Sequence, residues 1–326
     1  MSIRIVPAVK PRSFYHRVAR VSGERFMTCC VAAICGDGKA LVLVADKMIG
    51  VGYVEGEPDI EKLQRLHPRW WVMIAGDDVA PAFPIIDRAK ELLGDGPVNV
   101  DSVTDAMKIA YDQQRTKEAE SVYLKPRDWK MERFNREGSQ ILSDYRELAA
   151  KISEYELSVK FIIAGFNRDG KAYILSIDGD DKRAEPRRHD IPGFCAIGSG
   201  AIGAVYMMFY RDLSPDLKAR QALYHVLEAK YFGEQASGVG PRTDMYIARP
   251  QATVATASGD EAEPTVTKVN DDEVIEKRLI KMCKRLLEPR DLTEKDITTL
   301  NELPELGDLP KLEWKKKDAK KQSAPA

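Results

Sequence analysis

Two apolar segments, separated by a short turn rich in glycine and aspartate, strongly constrain which folds this chain can adopt. Residues 28–35 have the sequence TCCVAAIC, Gly36-Asp37-Gly38 follows, and residues 40–45 are ALVLVA, ending at Asp46. Glycine and aspartate tolerate tight-turn backbone conformations, so the pattern predicts a β-hairpin. Because the segments are apolar almost without interruption, the hairpin is expected to be covered on both faces, as in the middle of a layered sandwich.

The rest of the chain alternates strand patterns with helical ones. Strands are expected at 70–75, 159–166, 172–177, 194–200 and 245–249, and helices at 79–93, 101–120, 201–210 and 214–234, with mostly helical residues broken at Pro126 between 121 and 157. Strands are thus followed by helices twice over. This order predicts an α+β fold with two strand layers covered by two helix layers, a four-layer αββα sandwich.

Composition narrows the classes of function. The 326-residue chain carries a formal net charge of −1, which gives no reason to expect nucleic acid or a membrane surface as a partner. No apolar run approaches the roughly 20 residues of a membrane span. The five cysteines are odd in number and lack CxxC spacing, which favours free thiols in a reducing, cytoplasmic setting. The four histidines are scattered and make no metal motif, and no cofactor is expected.

Two terminal regions are expected to lie outside a core domain of residues 28–250. Residues 1–27 hold six basic side chains against a single acid and no apolar signal core, so they form an N-terminal extension, a pro-segment or a transit peptide, or they follow a misplaced start codon. Residues 251–326 are predicted to comprise a polar linker, an amphipathic helix over 272–287 and a basic disordered tail near 315–321.

Beyond the hairpin, single residues recur at a distinctive spacing. Asp46 ends the second apolar segment, Lys62 follows 16 positions later, and Gly76 follows 14 positions after that. With Thr28 at the head of the first segment, this arrangement resembles the opening of proteasome β-subunits and of the related bacterial HslV-type peptidases. The resemblance extends over residues 28–249, and its strength lies in the order and spacing of the motifs rather than in any one of them.

Three weaker matches follow later in the chain. Gly198-Ser199-Gly200 resembles a Gly-Ser-Gly of the family, whose serine supports the N-terminal residue. Glu234 and Ser237 lie in the segment where the family has an aspartate and a second serine near the terminal amine, and glutamate at 234 departs from that pattern. Ser199 also fits the N-cap of the helix expected at 201–210.

The resemblance implies an N-terminal-nucleophile (Ntn) hydrolase fold and a threonine-type amide hydrolase. Thr28 Oγ1 would attack the substrate carbonyl, with the α-amine of Thr28 as the base. Lys62 would tune that proton transfer while Asp46 holds it, and the Gly76 N–H would stabilise the oxyanion. Cys29 and Cys30 are interpreted as strand residues rather than nucleophiles.

This chemistry needs Thr28 as the first residue of the mature chain. The family releases its threonine by cleavage after a glycine, but here Met27 precedes it. Translation from Met27 followed by removal of that methionine would free Thr28. A chain that keeps residues 1–27 would have no free amine there.

Several alternatives stay open at this level. The chain is expected to be a proteasome-like peptidase acting on a peptide or amide, assembled as a homo-oligomeric ring by resemblance, with any ATPase partner unknown. The first alternative is a catalytically inactive assembly or scaffold subunit. The second is a small-molecule amidase or acylase on the same fold.

Overall fold

The computed structural model describes residues 28–51, 54–56, 61–76, 78–178, 185–234, 236, 239–240, 242–250, 264–269, 281, 293–302 and 311–313. The expected extension over 1–27 and the tail near 315–321 lie outside these residues. So does the helix expected over 272–287, apart from Lys281.

The strands of the described part form two five-stranded antiparallel sheets and a separate two-stranded hairpin. In chain order they are β1 (Cys30–Cys35), β2 (Ala40–Asp46), β3 (Ile49–Val51), β4 (Val54–Gly56), β5 (Leu63–His67), β6 (Trp70–Gly76), β7 (Val159–Phe166), β8 (Ala172–Ile177), β9 (Arg187–Arg188), β10 (Phe194–Ile197), β11 (Thr243–Arg249) and β12 (Thr265–Lys268). The first sheet has the order β10-β1-β2-β11-β12 and the second β5-β6-β7-β8-β9, while β3 pairs only with β4.

Helices follow the strands in both halves of the chain. They are α1 (Ala82–Leu93), α2 (Val100–Ala119), α3 (Met131–Ile141), α4 (Tyr145–Ser153), α5 (Ala201–Tyr210), α6 (Ala219–Gly233) and α7 (Glu294–Asn301). Helix α2 runs on into a π-helical turn and a 3-10 turn that contains Pro126, at the expected break. No helix in the described ranges is long and apolar enough to cross a membrane.

The alternating faces of β1 show why the first apolar segment is apolar throughout. Val31 and Ala33 pack with α5 and α6 in one core cluster. Cys30 and Ala32 point the other way, into a cluster shared with β6 and β7 of the second sheet. Every residue of β1 and β2 is buried. Coverage on both faces therefore confirms the expectation for this hairpin.

The second sheet is covered in the same way on its far side. Val72 and Ile163 pack against Ile85 of α1 and Met107 of α2. The packing order is therefore helices, sheet, sheet, helices, and the protein is a mixed α+β structure with two antiparallel sheets. This agrees with the α+β class and the layers expected from the sequence.

The turn between β1 and β2 uses the residues that the sequence offers for it. Gly36, Asp37 and Gly38 have φ angles of 58°, 57° and 78°. Glycine adopts this left-handed region without steric cost, and aspartate is among the few other residues that visit it. The turn brings Ala40 opposite Cys35 and, at the far end, Ala45 opposite Cys30.

Several elements differ from the sequence prediction: β3, β4, β9 and α7 were not expected, and three further differences concern β5, β12 and α6. Strand β5, directly after Lys62, was not expected, and its alternation is broken by a bulge between Arg65 and His67. Strand β12 lies inside the stretch expected to be a linker and pairs with the edge of the first sheet through β11. Helix α6 begins at Ala219, five residues later than expected.

Candidate active site

Thr28, Asp46 and Lys62 meet where the two sheets face each other. Thr28 lies two residues before β1 and Asp46 ends β2, so both are positioned by the first sheet, whereas Lys62 directly precedes β5 of the second sheet. Lys62 Nζ donates to Thr28 Oγ1 at 2.7 Å and to Asp46 Oδ1 at 2.9 Å. The three residues are 3%, 1% and 5% exposed. The hydroxyl, ammonium and carboxylate thus form one buried hydrogen-bonded row.

The carboxylate of Asp46 is held by four donors. Oδ1 accepts from Lys62 Nζ and from the Cys29 N–H at 2.9 Å. Oδ2 accepts from the Met48 N–H at 3.1 Å and the Gly240 N–H at 3.2 Å. A carboxylate offers about four acceptor positions, and here all are used. Asp46 is therefore fixed in one orientation, with Lys62 as its charged partner.

The turn at Gly198-Ser199-Gly200 packs directly on Thr28. The Gly200 N–H donates to the Thr28 carbonyl oxygen at 3.3 Å. The Ser199 hydroxyl faces the same oxygen at 3.5 Å, the outer limit of a hydrogen bond. A Cβ atom on Gly198 would lie 2.0 Å from that oxygen, so only glycine fits there. The structure thus brings Ser199 to the backbone of Thr28.

Gly76 has a clear structural reason to be glycine. It is the last residue of β6 and pairs with Val159 of β7. A Cβ atom there would lie 2.1 Å from the carbonyl oxygen of Ser158. This close approach explains the residue type without any catalytic role. Oxyanion stabilisation by the Gly76 N–H stays a prediction.

The last two expected site residues have different outcomes. Glu234 follows the end of α6, and its carboxylate accepts a hydrogen bond from the ammonium of Lys230 one turn earlier. Its connection to Asp46 runs through Lys230 and Gly240. Ser237 lies outside the described residues.

Sequence reasoning missed the groups that complete the site. The N–H groups of Cys29, Met48 and Gly240 carry no side-chain signal, so only the fold shows that they converge on Asp46. Lys230, in contrast, could have been found from the sequence. It is a lysine in the helical pattern of α6, four residues before Glu234, and it is fully buried.

The thiols of the two adjoining cysteines, Cys29 and Cys30, have low reactivity. Burial raises the pKa of the Cys29 thiol to about 12, against the opposing field of the Lys230 ammonium. Burial also raises the pKa of the Cys30 thiol, against the field of Lys62. Since the thiolate is the reactive form, both thiols are poor nucleophiles at neutral pH. Thr28 is the residue here whose nucleophilic oxygen contacts a cation.

The chemistry that this arrangement supports is stabilisation of developing negative charge on the Thr28 oxygen. A buried ammonium 2.7 Å away favours the alkoxide character that attack requires, and the effect is larger at a buried site than at an exposed one. Within the described part of the chain, no group of three or more His, Cys, Asp or Glu side chains is placed to hold a metal ion.

Comparison with known proteins gives no independent family assignment. No protein-family model matches the chain, and no curated protein is significantly similar to it.

Proposed function

We propose that this chain is a threonine-type Ntn amide hydrolase, a peptidase of the proteasome-like kind. The single observation that carries the proposal is Lys62 Nζ, which donates to the Thr28 hydroxyl and to the Asp46 carboxylate at once. A buried ammonium that is held by a carboxylate and contacts the hydroxyl can assist activation of a threonine nucleophile by its own α-amine. The resemblance in sequence spacing predicts the same association.

The fold is consistent with the finer assignment. Two antiparallel sheets packed face to face between helices are what an Ntn hydrolase has, and the nucleophile of that fold begins a central strand of one sheet. Thr28 precedes β1, which lies between β10 and β2. We therefore assign the Ntn hydrolase fold as part of the proposal.

The proposed reaction has two halves. Thr28 Oγ1 forms a bond to the substrate carbonyl carbon and passes its proton to the Thr28 α-amine, directly or through water. The Gly76 N–H stabilises the oxyanion, and the C–N bond breaks as the departing amine takes the proton. Water then attacks the ester on Thr28, which releases the acid and restores the hydroxyl. Lys62 stays charged throughout, held by Asp46.

The test compares two chains that differ only in where they begin. One begins at Thr28, obtained by cleaving a fusion protein, and the other begins at Met1; intact mass verifies both. We expect the first to hydrolyse a peptide library and the second to be inactive, because only the first has the α-amine base. Thr28→Ala in the shorter chain removes the nucleophile and is the control.

Each outcome of this test has a defined meaning. Hydrolysis of N-acyl amides in place of peptides would indicate a small-molecule acylase. A folded chain beginning at Thr28 that cleaves neither substrate class, and takes up no acyl group from a β-lactone, would overturn the hydrolase proposal. The scaffold alternative would then stand in its place.

Assembly into a homo-oligomer is also proposed. Helix α5 presents four large apolar side chains to solvent, with Ile202 and Tyr206 73% and 69% exposed, followed by Phe209 and Tyr210 at 56% and 57%. Their spacing of four, three and one places them on one side of the helix. A contiguous exposed apolar surface is typical of a protein contact. The ring geometry and any ATPase partner rest on the resemblance alone.

A further inference from the structure

A second lysine ammonium lies behind the candidate site, and none of its surface is exposed. It belongs to Lys230 in the last turn of α6. Its Nζ donates to the Gly240 carbonyl oxygen at 2.8 Å and to the carboxylate of Glu234. Lysine is almost never fully buried without a partner, because desolvation of the ammonium costs several kcal/mol. A buried ion pair is also weak evidence of added stability, so the position needs another reason.

Gly240 connects this lysine to the candidate active site. Its carbonyl oxygen accepts from Lys230, and its N–H donates to Asp46 Oδ2 at 3.2 Å. Asp46 in turn holds Lys62, which donates to Thr28. One continuous row of polar contacts therefore runs from Thr28 to Lys230. Lys230 holds the residue that supplies one of the four donors to Asp46.

The three charged groups of this row, together with Glu234, are close enough to act on one neighbour. The thiol of Cys29, the residue after Thr28, lies in the fields of Lys230, Asp46, Glu234 and Lys62. After burial itself, the Lys230 ammonium is the largest influence on that thiol's pKa. Two cations and two anions balance each other in a largely buried volume. Removal of one of them alters the field at the nucleophile.

Small residues let α6 approach the site this closely. A Cβ atom on Gly233, three residues after Lys230, would lie 2.8 Å from the Gly200 carbonyl oxygen and 2.9 Å from Cys29 Sγ. A Cβ atom on Gly200 would lie 2.9 Å from Cys29 Cβ. The end of α6 is therefore packed directly against the start of α5 and the residue after the nucleophile. This packing places the helix turn that carries Lys230 beside Cys29, whose N–H donates to Asp46.

We propose that Lys230 is a positioning residue of this site, whose ammonium holds Gly240 so that the Gly240 N–H stays on Asp46 and Asp46 keeps Lys62 against Thr28. The catalytic part of this inference rests on the proposed function. The tether itself does not, because it is measurable in a protein that hydrolyses nothing.

A purely charge-balancing role is the competing explanation. In that case Lys230 would serve only to neutralise Glu234, and removing both charges together would leave the site as it was. The variant Lys230→Met/Glu234→Gln makes this distinction. It removes the ammonium and the carboxylate together, so that neither is left buried without a counter-charge, which spares the fold. Lys218→Met, an exposed lysine at the other end of α6, is the matched control.

The first readout is hydrogen exchange at single amides of the full chain by NMR. We expect the Gly240 N–H, and the Met48 N–H that shares Asp46 Oδ2, to exchange roughly tenfold or more faster in the double variant, while the amides in the middle of α6 keep their protection. Lys218→Met should change neither. Unchanged exchange at Gly240 and Met48 in a folded double variant would overturn the tether.

The second readout is turnover of the chain that begins at Thr28. We expect kcat of the double variant to fall about tenfold or more with KM nearly unchanged, since the defect lies in the machinery and not in substrate binding. An unchanged kcat would overturn the positioning role. If the wild-type chain beginning at Thr28 is inactive, the proposed function fails, and the exchange experiment still decides whether Lys230 holds Gly240.

Discussion

The ammonium of Lys62 lies 2.7 Å from the hydroxyl oxygen of Thr28, although the two residues belong to different sheets. Asp46 lies 2.9 Å from the same ammonium and comes from the sheet of Thr28. The lysine is thus the only one of the three whose position depends on how the two sheets pack on each other. The contact between the Lys62 ammonium and the Thr28 hydroxyl therefore depends on the packing of the two sheets.

Replacement of Lys62 by methionine should therefore damage both activity and stability. The loss of the ammonium should lower hydrolysis by the Thr28-initiated chain about 100-fold or more. The variant also leaves the Asp46 carboxylate buried without its counter-charge, which should cost about 3–5 kcal/mol in denaturant unfolding. Lys160→Met is the control, because Lys160 also forms an ion pair with an aspartate, Asp178, at 2.9 Å. Lys160 lies on β7 and does not contact Thr28 or Asp46 in the hydrogen bonds described above. Hydrolysis by Lys62→Met within a few-fold of wild type would contradict the assigned role.

Asp46→Asn tests the carboxylate without changing its shape. An amide has one acceptor oxygen, so two of the four donors now on Asp46 would face an NH₂ group. At about 1–3 kcal/mol for each buried donor left unpaired, the free energy of unfolding should fall by about 2–6 kcal/mol. Hydrolysis should fall with it. The control is Asp244→Asn. Asp244 is buried on β11 of the same sheet and forms an ion pair with Lys47, and this variant should leave hydrolysis nearly unchanged. An equal loss in both variants would refute a special role for Asp46.

Most of the fold followed from where apolar residues lie along the chain. The uninterrupted apolar character of 28–35 and 40–45 predicted a hairpin covered on both faces, and the packing of β1 confirms it. Asp46 and Lys62 were expected beside Thr28 because their order and spacing resemble those of proteasome β-subunits, and the structure brings all three together. For Thr28 and Asp46 the physical reason is that two paired strands joined by a short turn leave little freedom in where their end residues lie. The place of Lys62 depends on the packing of the second sheet, which no local pattern records.

The missed elements depended on contacts that no local pattern records. Strand β5 alternates poorly because of its bulge, and β12 has only threonine, valine and lysine, with no buried face of its own. Each is a strand because a neighbouring strand, β6 or β11, offers free backbone groups. The role of Gly240 was invisible for a similar reason, since it acts through its backbone alone.

Gly76→Ala should be poorly tolerated even if the Gly76 N–H has no catalytic role. The new methyl group would lie 2.1 Å from the Ser158 carbonyl oxygen, so β6 and β7 must separate at their ends, at a cost of about 2 kcal/mol or more. Gly96→Ala is the matched control, because a Cβ atom there meets nothing within 4 Å, and its effect should stay within about 1 kcal/mol. Urea unfolding of both variants measures the difference. Equal midpoints would show that β6 and β7 accommodate the methyl group freely.

His189 should make the protein less stable in mild acid. Burial lowers the pKa of His189 below its ordinary value, helped by Arg187 and opposed by Asp190, and its Nε2 lies 2.8 Å from the Ser176 hydroxyl. The unfolded chain therefore takes up this proton first as the pH falls through about 6.5, which favours unfolding. Stability is fully present above that pH and declines below it. Thermal unfolding of His189→Gln should depend less on pH between about 7.5 and 5 than that of wild type. His67, whose pKa burial also lowers, contributes to the dependence that remains. Identical pH profiles of His189→Gln and wild type would refute the assignment.

The exposed apolar side of α5 should govern assembly. Ile202→Lys/Tyr206→Lys places two charges on the proposed contact, where burial of each unpaired ammonium would cost several kcal/mol. We expect analytical ultracentrifugation to show a homo-oligomer for wild type and a smaller species for this variant, with unchanged circular dichroism because neither side chain belongs to a core cluster. Ile141→Lys is the control, since Ile141 is 56% exposed but lies on α3, away from α5. If wild type and the α5 variant sediment with the same mass, this surface is not the contact between copies. If only the Ile141 variant has a lower mass, the contact lies on α3 instead.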